Sequence, residues 1–565
     1  MPIPSQYPLR AALVRLGCDS DWATLVGLTL LMLAVASLAY SPAAIPLIDD
    51  WTYAWSVGHF LQTGALRMLE WSAHYPLAQI LWGALYSQLF GFSFAVLRLS
   101  TLVLAWAGLL AFYLTLRELE IRPLPASLGA VMLLCNPVLF MLSHSFMTDV
   151  PFVSVMNGSL LCYVRWTKRG HTHDLALGNA LAVVAFLIRQ LGAALALAPI
   201  GYVLLIRLVG GPRRILTWPQ RLCLLMPFVG FGLTLAWIRG VHGETRVYQE
   251  RIEDLRFIWS TSGWIYLREF LHIILNLGLV LWPLTWGTVR GLSLRALTWA
   301  TGIMAILCGL YLWHQSELPQ PLGPILTWNE LGMARKLIAG SIPDRPWLVW
   351  GQGLVLAISL SGAVVLVAAL VEGLWRWTRW LRGPATVLLL NGLGQLLFIE
   401  ALWLFYDRYY LPLLPGSTAL LASYLKLTTR VTALILAGGV LWGAIAITGT
   451  IDMFRFGVAV AEARTWLLRQ GVAAEHIDAG YVQNGWWLYA PALPTGRGPE
   501  PDVPFVTTMR SLPYKIANAL EPGYAVVRRV AWPTLWAASD TLYILEHAAI
   551  IEQRGLPPRP PRGEH

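Results

Sequence analysis

Long runs of apolar residues alternate with short polar breaks along most of the chain. A run of about 20 apolar residues crosses a bilayer as one helix, and this pattern predicts about thirteen membrane spans. We therefore expect an all-α polytopic protein that is integral to the cell membrane. The spans are placed near 22–43, 95–116, 124–143, 150–166, 174–188, 191–207, 222–240, 264–289, 296–314, 347–372, 384–404, 410–427 and 431–449.

Two segments in the first long loop differ from these spans. Residues 51–63 and 77–90 are amphipathic, and Gly64, His74 and Pro76 interrupt the chain between them. Amphipathic helices of this kind lie in the membrane interface and do not cross it. The pattern therefore predicts two interfacial helices in a loop on the outer face.

The pattern changes again after residue 450. The remaining residues are rich in Gly and Pro, with a helix-like stretch near 453–470 and strand-like runs at 523–532 and 541–546. Alternating strands and short helices are typical of a separately folded unit. We predict a transmembrane domain over 1–450 and a small extracytoplasmic α/β domain over 451–565.

Composition and charge agree with a membrane protein. The chain has 565 residues, of which 56% are hydrophobic and 13% charged, and its mean hydropathy is +0.58. The formal charge is +10, but most Lys and Arg clusters lie in short loops on one face. The positive-inside rule then places the N-terminus in the cytoplasm and the C-terminal domain outside, and nucleic acid is not an expected partner.

Three carboxylates stand where spans meet the outer face. Asp49 and Asp50 follow the first span, and Asp149 follows the third. Carboxylates at a membrane edge are costly unless they face water, a partner or a substrate. From position alone, Asp49 and Asp50 are more simply solvated residues at a loop end, or an N-cap of the helix at 51–63, and Asp149 is more often a helix cap than a catalyst. Together on one face they predict a shared active site.

Basic, amide and aromatic residues recur on the same face. An arginine near the outer membrane edge is a natural phosphate ligand. Arg189 is also consistent with an arginine at the end of a span whose side chain extends to the membrane interface. Arg408 is also consistent with an ion pair with Asp407. We assign Arg189 and Arg408 to a donor phosphate. His74 alone would more simply be structural. The predicted walls of the substrate cavity are Tyr53, His74, Tyr75, Gln190, Asp407 and Tyr409.

This combination suits transfer from a lipid-phosphate donor. A carboxylate base takes a proton from an acceptor hydroxyl, and cations stabilise the charge on the departing phosphate. A transporter or flippase of a lipid-linked glycan is the alternative, but the chain lacks the internal repeats common in transporters. A third interpretation is a scaffold whose C-terminal domain binds a partner. The five cysteines lie in or beside apolar segments without metal-ligand spacing.

At these residues the chain resembles the GT-C glycosyltransferases, and within them the family 39 protein O-mannosyltransferases and lipid A aminoarabinose transferases. The resemblance covers roughly residues 20–430 and includes a layout of thirteen spans with an outer C-terminal domain. The motifs that carry it are Asp49-Asp50, Tyr53-Ala54, Thr63-Gly64, Phe90-Gly91, Arg98, Thr148-Asp149-Val150-Pro151, Arg189, Asp407-Arg408-Tyr409 and Leu411-Pro412.

The resemblance implies an inverting transfer of a sugar from a polyprenyl-phosphate donor to a lipid, glycan or protein acceptor. It assigns the base to Asp49, further acidic positions to Asp50 and Asp149, and a cation near the donor phosphate to Arg189. Some members of the family bind a divalent metal, but no ligand set here is diagnostic. Where aminoarabinose transferases have Lys-Pro, this chain has His74-Tyr75-Pro76.

Overall fold

The computed structural model describes residues 20–208, 216–258, 263–316, 318–319, 346–376, 383–401, 406–489, 512–535, 541–547 and 549. Helices dominate these residues. In the first half of the chain they are α1 (Ser20–Ala39), α2 (Asp50–Thr63), α3 (Leu77–Phe90), α4 (Phe94–Glu118), α5 (Pro123–Leu134), α6 (Pro137–Ser143), α7 (Asp149–Arg169), α8 (Thr172–Phe186), α9 (Ala193–Leu208), α10 (Trp218–Trp237) and α11 (Arg246–Ile258).

The second half continues with long helices and ends in a small sheet. Its helices are α12 (Trp264–Thr288), α13 (Leu294–Gln315), α14 (Pro346–Trp375), α15 (Ala385–Glu400), α16 (Leu414–Ser423), α17 (Thr429–Arg469) and α18 (Gly480–Asn484). Short 3-10 turns cover Gln190–Gly192, Val289–Gly291, Asp407–Leu413 and Ala474–His476, and π-helical turns cover Ile238–His242 and Gly485–Tyr489. The strands are β1 (Ile477–Asp478), β2 (Tyr514–Ala517), β3 (Ala525–Ala531) and β4 (Thr541–Glu546).

Eight helices in the described part of the chain are long and apolar enough to cross a membrane, or nine if one bent pair is a single span. The protein is therefore an integral, multi-pass membrane protein, while the number thirteen stays a prediction. The expected spans near 174–188 and 384–404 are the shorter apolar helices α8 and α15. The two interfacial segments are helices of 14 residues each, which is shorter than a span.

The predicted span near 124–143 is broken. It consists of α5 and α6, which meet at an angle of 62°. Pro137 cannot continue a helix because it lacks an amide hydrogen and clashes with the preceding turn. Asn136 starts the new helix, since its side chain accepts a hydrogen bond from the Leu139 amide at 3.0 Å. The break brings the loop before α7, and with it Asp149, to the interior of the bundle.

Helix α17 connects the helical bundle with the C-terminal sheet. It has 41 residues, which corresponds to roughly 60 Å, about twice the thickness of a bilayer core. The helix runs without interruption through the predicted boundary at 450, so the expected helix near 453–470 is its second half. The second half of α17 carries the sheet: Val460 and Ala463 form one buried cluster with Ile516, Leu542 and Ile544.

The sheet has four strands in the order β1-β2-β4-β3. β1 is parallel to β2, with Ile477 opposite Tyr514, and the other pairs are antiparallel. Two strands were predicted close to the bounds of β3 and β4. β1 was not predicted, because two residues carry no periodic pattern.

Candidate active site

The chain enters the candidate site through a strained turn between α1 and α2. Ile48 has a φ of 54°, a left-handed conformation that costs a β-branched residue about 1–3 kcal/mol. Asp49 follows with a φ of −100°, and its side chain makes no capping hydrogen bond to α2. The alternative that Asp49 serves as a helix cap therefore does not describe this structure.

The two consecutive carboxylates have different surroundings. The Asp49 side chain is 31% exposed, whereas Asp50 is fully buried. Asp50 accepts hydrogen bonds from the amides of Leu47 at 2.7 Å and Phe146 at 3.4 Å. Burial raises the pKa of Asp50 to about 7, against the lowering effect of Arg98. Asp50 therefore holds the loop in place, while Asp49 is the accessible member of the pair.

Arg98 supports the same loop from α4. This buried guanidinium donates hydrogen bonds to the carbonyl oxygens of Ala43, at 2.7 Å, and Ile45. The resemblance included Arg98 as a motif position, but the residues alone did not assign it a role. Its geometry shows a structural one, which is to orient the segment that leads into Asp49.

Four predicted residues form one ionic cluster. Asp149, at the start of α7, accepts a hydrogen bond from Nη1 of Arg189, and its other oxygen lies 3.4 Å from Nε of Arg408. Nη2 of Arg408 lies 3.6 Å from Oδ2 of Asp49. The structure thus brings together Asp49, Asp149, Arg189 and Arg408, with Arg408 between the two carboxylates. We refer to these four residues as the ionic cluster.

The two arginines have unused hydrogen-bonding capacity. The side chains are 4% and 6% exposed, so water is largely excluded from both. Nonetheless Nε of Arg189 and both Nε and Nη1 of Arg408 make no hydrogen bond within the described part of the protein. Buried donors without acceptors are costly. The cluster therefore has buried guanidinium donors with which it can hold an anion.

Aromatic rings line the ionic cluster. The Arg189 guanidinium lies 5.5 Å from the ring centre of Tyr409, and that of Arg408 lies 4.4 Å from the ring of Tyr406. Tyr53 on α2 is buried, and its pKa is raised, first by burial and then by the charge of Asp49. These rings exclude water, which strengthens the electrostatic interactions within the cluster.

The remaining predicted residues lie beside the cluster. Gln190 follows Arg189, and its Oε1 lies 3.2 Å from Nδ1 of His74. Asp407 is buried and accepts a hydrogen bond from the amide of Arg408 at 2.8 Å, so it positions the turn that carries this arginine.

Tyr75 has a structural position apart from the cluster. Its hydroxyl donates to the Gly243 carbonyl at 3.2 Å and accepts from the Thr245 amide at 2.7 Å. Its ring packs edge-on against His242 and Tyr248. Tyr75 therefore holds the first loop against the segment before α11.

Tyr481 of the C-terminal domain was not predicted. Its hydroxyl donates to Oδ1 of Asp49 at 2.7 Å and accepts from Nε1 of Trp71 at 2.7 Å. Tyr481 and Asp49 are 432 positions apart in the sequence, so no local pattern links them. Only the tertiary structure shows this contact.

Among the described residues, no group of three or more His, Cys, Asp and Glu side chains is placed to hold a metal ion. Both carboxylates of the ionic cluster are paired with arginines. The divalent metal that the resemblance allows stays an untested expectation.

Comparison with known proteins gives one family and several distant structures. The model of the dolichyl-phosphate-mannose-protein mannosyltransferase family matches residues 75–237. This segment is less than half of the chain, and it contains α3, α7 and both Asp149 and Arg189. No curated protein matches the chain.

Among solved structures, ArnT from Cupriavidus metallidurans bound to undecaprenyl phosphate is 14% identical with a TM-score of 0.42, over 80% of this chain and 73% of that one. The S. cerevisiae Pmt1-Pmt2 complex bound to the sugar donor is 16% identical with a TM-score of 0.33, over 42% and 38%. The Archaeoglobus fulgidus oligosaccharyltransferase tethered with an acceptor peptide is 14% identical with a TM-score of 0.40, over 80% and 58%. At these values the likenesses carry no argument about mechanism.

The family match confirms the resemblance that the sequence motifs predicted. The chain is a polytopic membrane protein, and its residues 75–237 are similar to the dolichyl-phosphate-mannose-protein mannosyltransferase family. Its small C-terminal sheet and its helical transmembrane part agree with the predicted fold class.

Proposed function

We propose that the protein transfers a hexose or pentose from a polyprenyl-phosphate donor to a hydroxyl acceptor on the extracytoplasmic face, with inversion at the anomeric carbon. One observation carries the proposal. Arg408 is buried between Asp49 and Asp149, and its Nη1 and the Nε of Arg189 make no hydrogen bond in the described structure. A phosphate would supply the missing acceptors beside an accessible carboxylate.

The arginines form the donor side of the proposed site. The planar guanidinium matches the spacing of phosphate oxygens and forms charge-assisted hydrogen bonds with them. Nε of Arg189 and Nη1 of Arg408 make no hydrogen bond among the described residues. Asp149 holds both guanidinium groups, so its role is to position them and balance their charge.

Asp49 forms the acceptor side. It is more exposed than Asp149, with 31% against 4% of the side chain accessible. Its carboxylate takes the proton of the acceptor hydroxyl, and the hydroxyl oxygen forms a bond to the anomeric carbon from the face opposite the phosphate. The bond from that carbon to the phosphate oxygen breaks, and the electron pair leaves with the lipid phosphate. Arg189 and Arg408 stabilise the resulting charge.

The proposed partners follow from this chemistry. The donor is a lipid-linked sugar, and the acceptor is a lipid, a glycan or a protein with a free hydroxyl. The C-terminal domain lies at the same end of the bundle as the ionic cluster, since Tyr481 contacts Asp49. The positive-inside rule supports an outer position for this end and a cytoplasmic N-terminus.

The test compares cell-envelope glycans and lipids by mass spectrometry in a null strain complemented with wild type, Asp49→Asn or Asp21→Asn at matched protein amounts. We expect one glycoconjugate to be missing in the null strain and with Asp49→Asn, because the amide does not accept a proton from the hydroxyl. Asp21→Asn is the control: Asp21 pairs with Arg117 at the other end of α1, so this variant should restore the product.

The outcomes separate the alternatives. Restoration of the wild-type profile by Asp49→Asn would exclude Asp49 as the base. Purified wild-type protein, reconstituted with the lipid extract of the null strain, should form the missing product without a second enzyme. Failure to do so, together with movement of the intact lipid-linked glycan between leaflets, would identify a flippase instead.

A further inference from the structure

We propose that Tyr481 is a positioning residue for Asp49, so that sugar transfer depends on the docked C-terminal domain. The inference rests on the proposed role of Asp49 as the base. Its starting point is the 2.7 Å hydrogen bond from the Tyr481 hydroxyl to Oδ1 of Asp49. This bond joins the two domains directly at the candidate catalytic carboxylate.

The direction of the hydrogen bond follows from Trp71. An indole nitrogen only donates hydrogen bonds, so the 2.7 Å contact between Trp71 Nε1 and the Tyr481 oxygen makes the tyrosine the acceptor there. The hydroxyl hydrogen is then available only for Asp49. Successive hydrogen bonds in a site with little water polarise and strengthen one another.

The C-terminal domain presents Tyr481 on a rigid support. Gly480, with a φ of +80°, makes the turn into α18 that a side chain would strain. The Asp478 carboxylate accepts hydrogen bonds from the Gly480 amide at 3.0 Å and from Asn484 at 2.8 Å. The Asp478 backbone lies opposite Lys515 in the pairing of β1 with β2. The tyrosine is therefore held by the sheet and not by a free loop.

The surface around Tyr481 is closely packed against the transmembrane domain. Trp51 on α2 meets the Tyr481 ring edge-on, with ring centres 6.0 Å apart. A Cβ atom on Gly485 would collide with the buried Trp51 ring. Trp486 packs edge-on against Phe94, with ring centres 4.9 Å apart. We refer to residues 480–489 as the docking segment.

Two groups from different domains therefore restrain the Asp49 carboxylate. Tyr481 binds Oδ1, and Arg408 lies 3.6 Å from Oδ2. A carboxylate has about four lone-pair positions, so the acceptor hydroxyl still has a place to bind. A base that is held in one orientation loses no further conformational freedom when the acceptor arrives. This is the advantage that Tyr481 supplies.

The experiment follows formation of the glycoconjugate that the null strain lacks, after induction of the full-length protein at matched amounts. Tyr481→Phe keeps the ring and removes the hydroxyl. We expect the rate to fall about tenfold to a hundredfold, the range for loss of a hydrogen bond to a charged group. Affinity of the purified variant for undecaprenyl phosphate should not change, because the hydroxyl contacts neither arginine. Tyr524→Phe is the control, since Tyr524 donates to Leu512 within the same domain.

A double-mutant cycle distinguishes positioning from folding. Trp71→Phe should lower the rate less than Tyr481→Phe, and the double variant should be no slower than Tyr481→Phe alone, because Trp71 acts through the tyrosine. Additive losses, or equal losses in Tyr524→Phe, would show a general effect on folding and overturn the inference.

The remaining results are also decisive. A wild-type rate in Tyr481→Phe beside an inactive Asp49→Asn would reject the role of Tyr481 alone. A faster rate would mean that the hydroxyl occupies the place of the acceptor, which contradicts positioning. Full activity of Asp49→Asn would reject the proposed function itself.

Discussion

At the scale of residues, the ionic cluster is balanced in charge before any substrate binds. Two carboxylates face two guanidinium groups, and this pairing offsets part of the cost of burying Asp149, Arg189 and Arg408. Removing one charged partner from a buried ion pair is strongly destabilising. Donor binding would exchange some contacts between carboxylate and arginine for contacts between phosphate and arginine.

Arg408→Lys tests the phosphate contact. Lysine keeps the charge but lacks the planar fork, so we expect affinity for undecaprenyl phosphate to fall about tenfold, the value of one charge-assisted hydrogen bond. Binding of the labelled lipid to purified protein measures the change. Arg295→Lys is the control, because Arg295 stacks on Trp375 away from the cluster. Equal affinity in wild type and Arg408→Lys would contradict the assignment.

Asp50 should make stability depend on pH. Burial raises its pKa from 3.8 to about 7, so the folded state binds more protons than the unfolded state between these values. Stability therefore falls as the pH rises from about 4 to about 7. The unfolding temperature of the detergent-solubilised protein measures this slope. Asp50→Asn, which does not titrate, should reduce the slope; an unchanged slope in the variant would show that other groups cause it.

At the scale of elements, α12 and α14 pack with their backbones in direct contact. Gly278 and Gly362 meet at the crossing, and a Cβ atom on either would overlap the main chain of the other helix. Small residues permit this close approach between membrane helices. Side-chain volume at one position thus decides how closely two spans pack.

Gly362→Ala should separate these helices. We expect the free energy of unfolding to fall by about 1–3 kcal/mol, as for overpacking in a core. Gly353→Ala on the same helix is the control, because no heavy atom lies within 4 Å of its added Cβ. Thermal unfolding in detergent compares the two variants. Equal stability would mean that α12 and α14 adjust without cost.

At the scale of the whole molecule, the C-terminal domain completes the surroundings of Asp49. Helix α17 carries the sheet past the membrane end of the bundle, and the docking segment returns from it to α2. Interfaces between domains often permit motion. In this interface, however, Gly485 packs tightly against the Trp51 ring, which leaves little room for such motion.

Gly485→Ala should weaken this docking. The added methyl group collides with Trp51, so the segment must shift and lengthen the hydrogen bond from Tyr481 to Asp49. We expect slower glycoconjugate formation and faster hydrogen exchange in residues 480–489. Gly309→Ala, with no heavy atom within 4 Å of its Cβ, is the control. Wild-type activity and exchange in Gly485→Ala would show that docking is not required.

The sequence by itself determined the membrane class, the two short helices of the first loop and two strands of the C-terminal sheet. Each follows from hydrophobic periodicity, which depends on neighbouring residues alone. The one-sided distribution of Lys and Arg also predicted that Asp49, Asp149, Arg189 and Arg408 share a face. The structure places their side chains in one cluster, while their catalytic and binding roles remain proposals.

Only the tertiary structure decided which carboxylate is accessible and which residues hold it. Asp49 and Asp50 are adjacent in sequence, but their side chains have different partners. Asp49 belongs to the ionic cluster, whereas Asp50 accepts hydrogen bonds from the amides of Leu47 and Phe146. The Tyr481 hydroxyl donates a hydrogen bond to Asp49, 432 positions away in the sequence. Tyr75, which was predicted to line the substrate cavity, accepts a hydrogen bond from the Thr245 amide. Such contacts depend on how separate elements pack, and local periodicity contains no information about them.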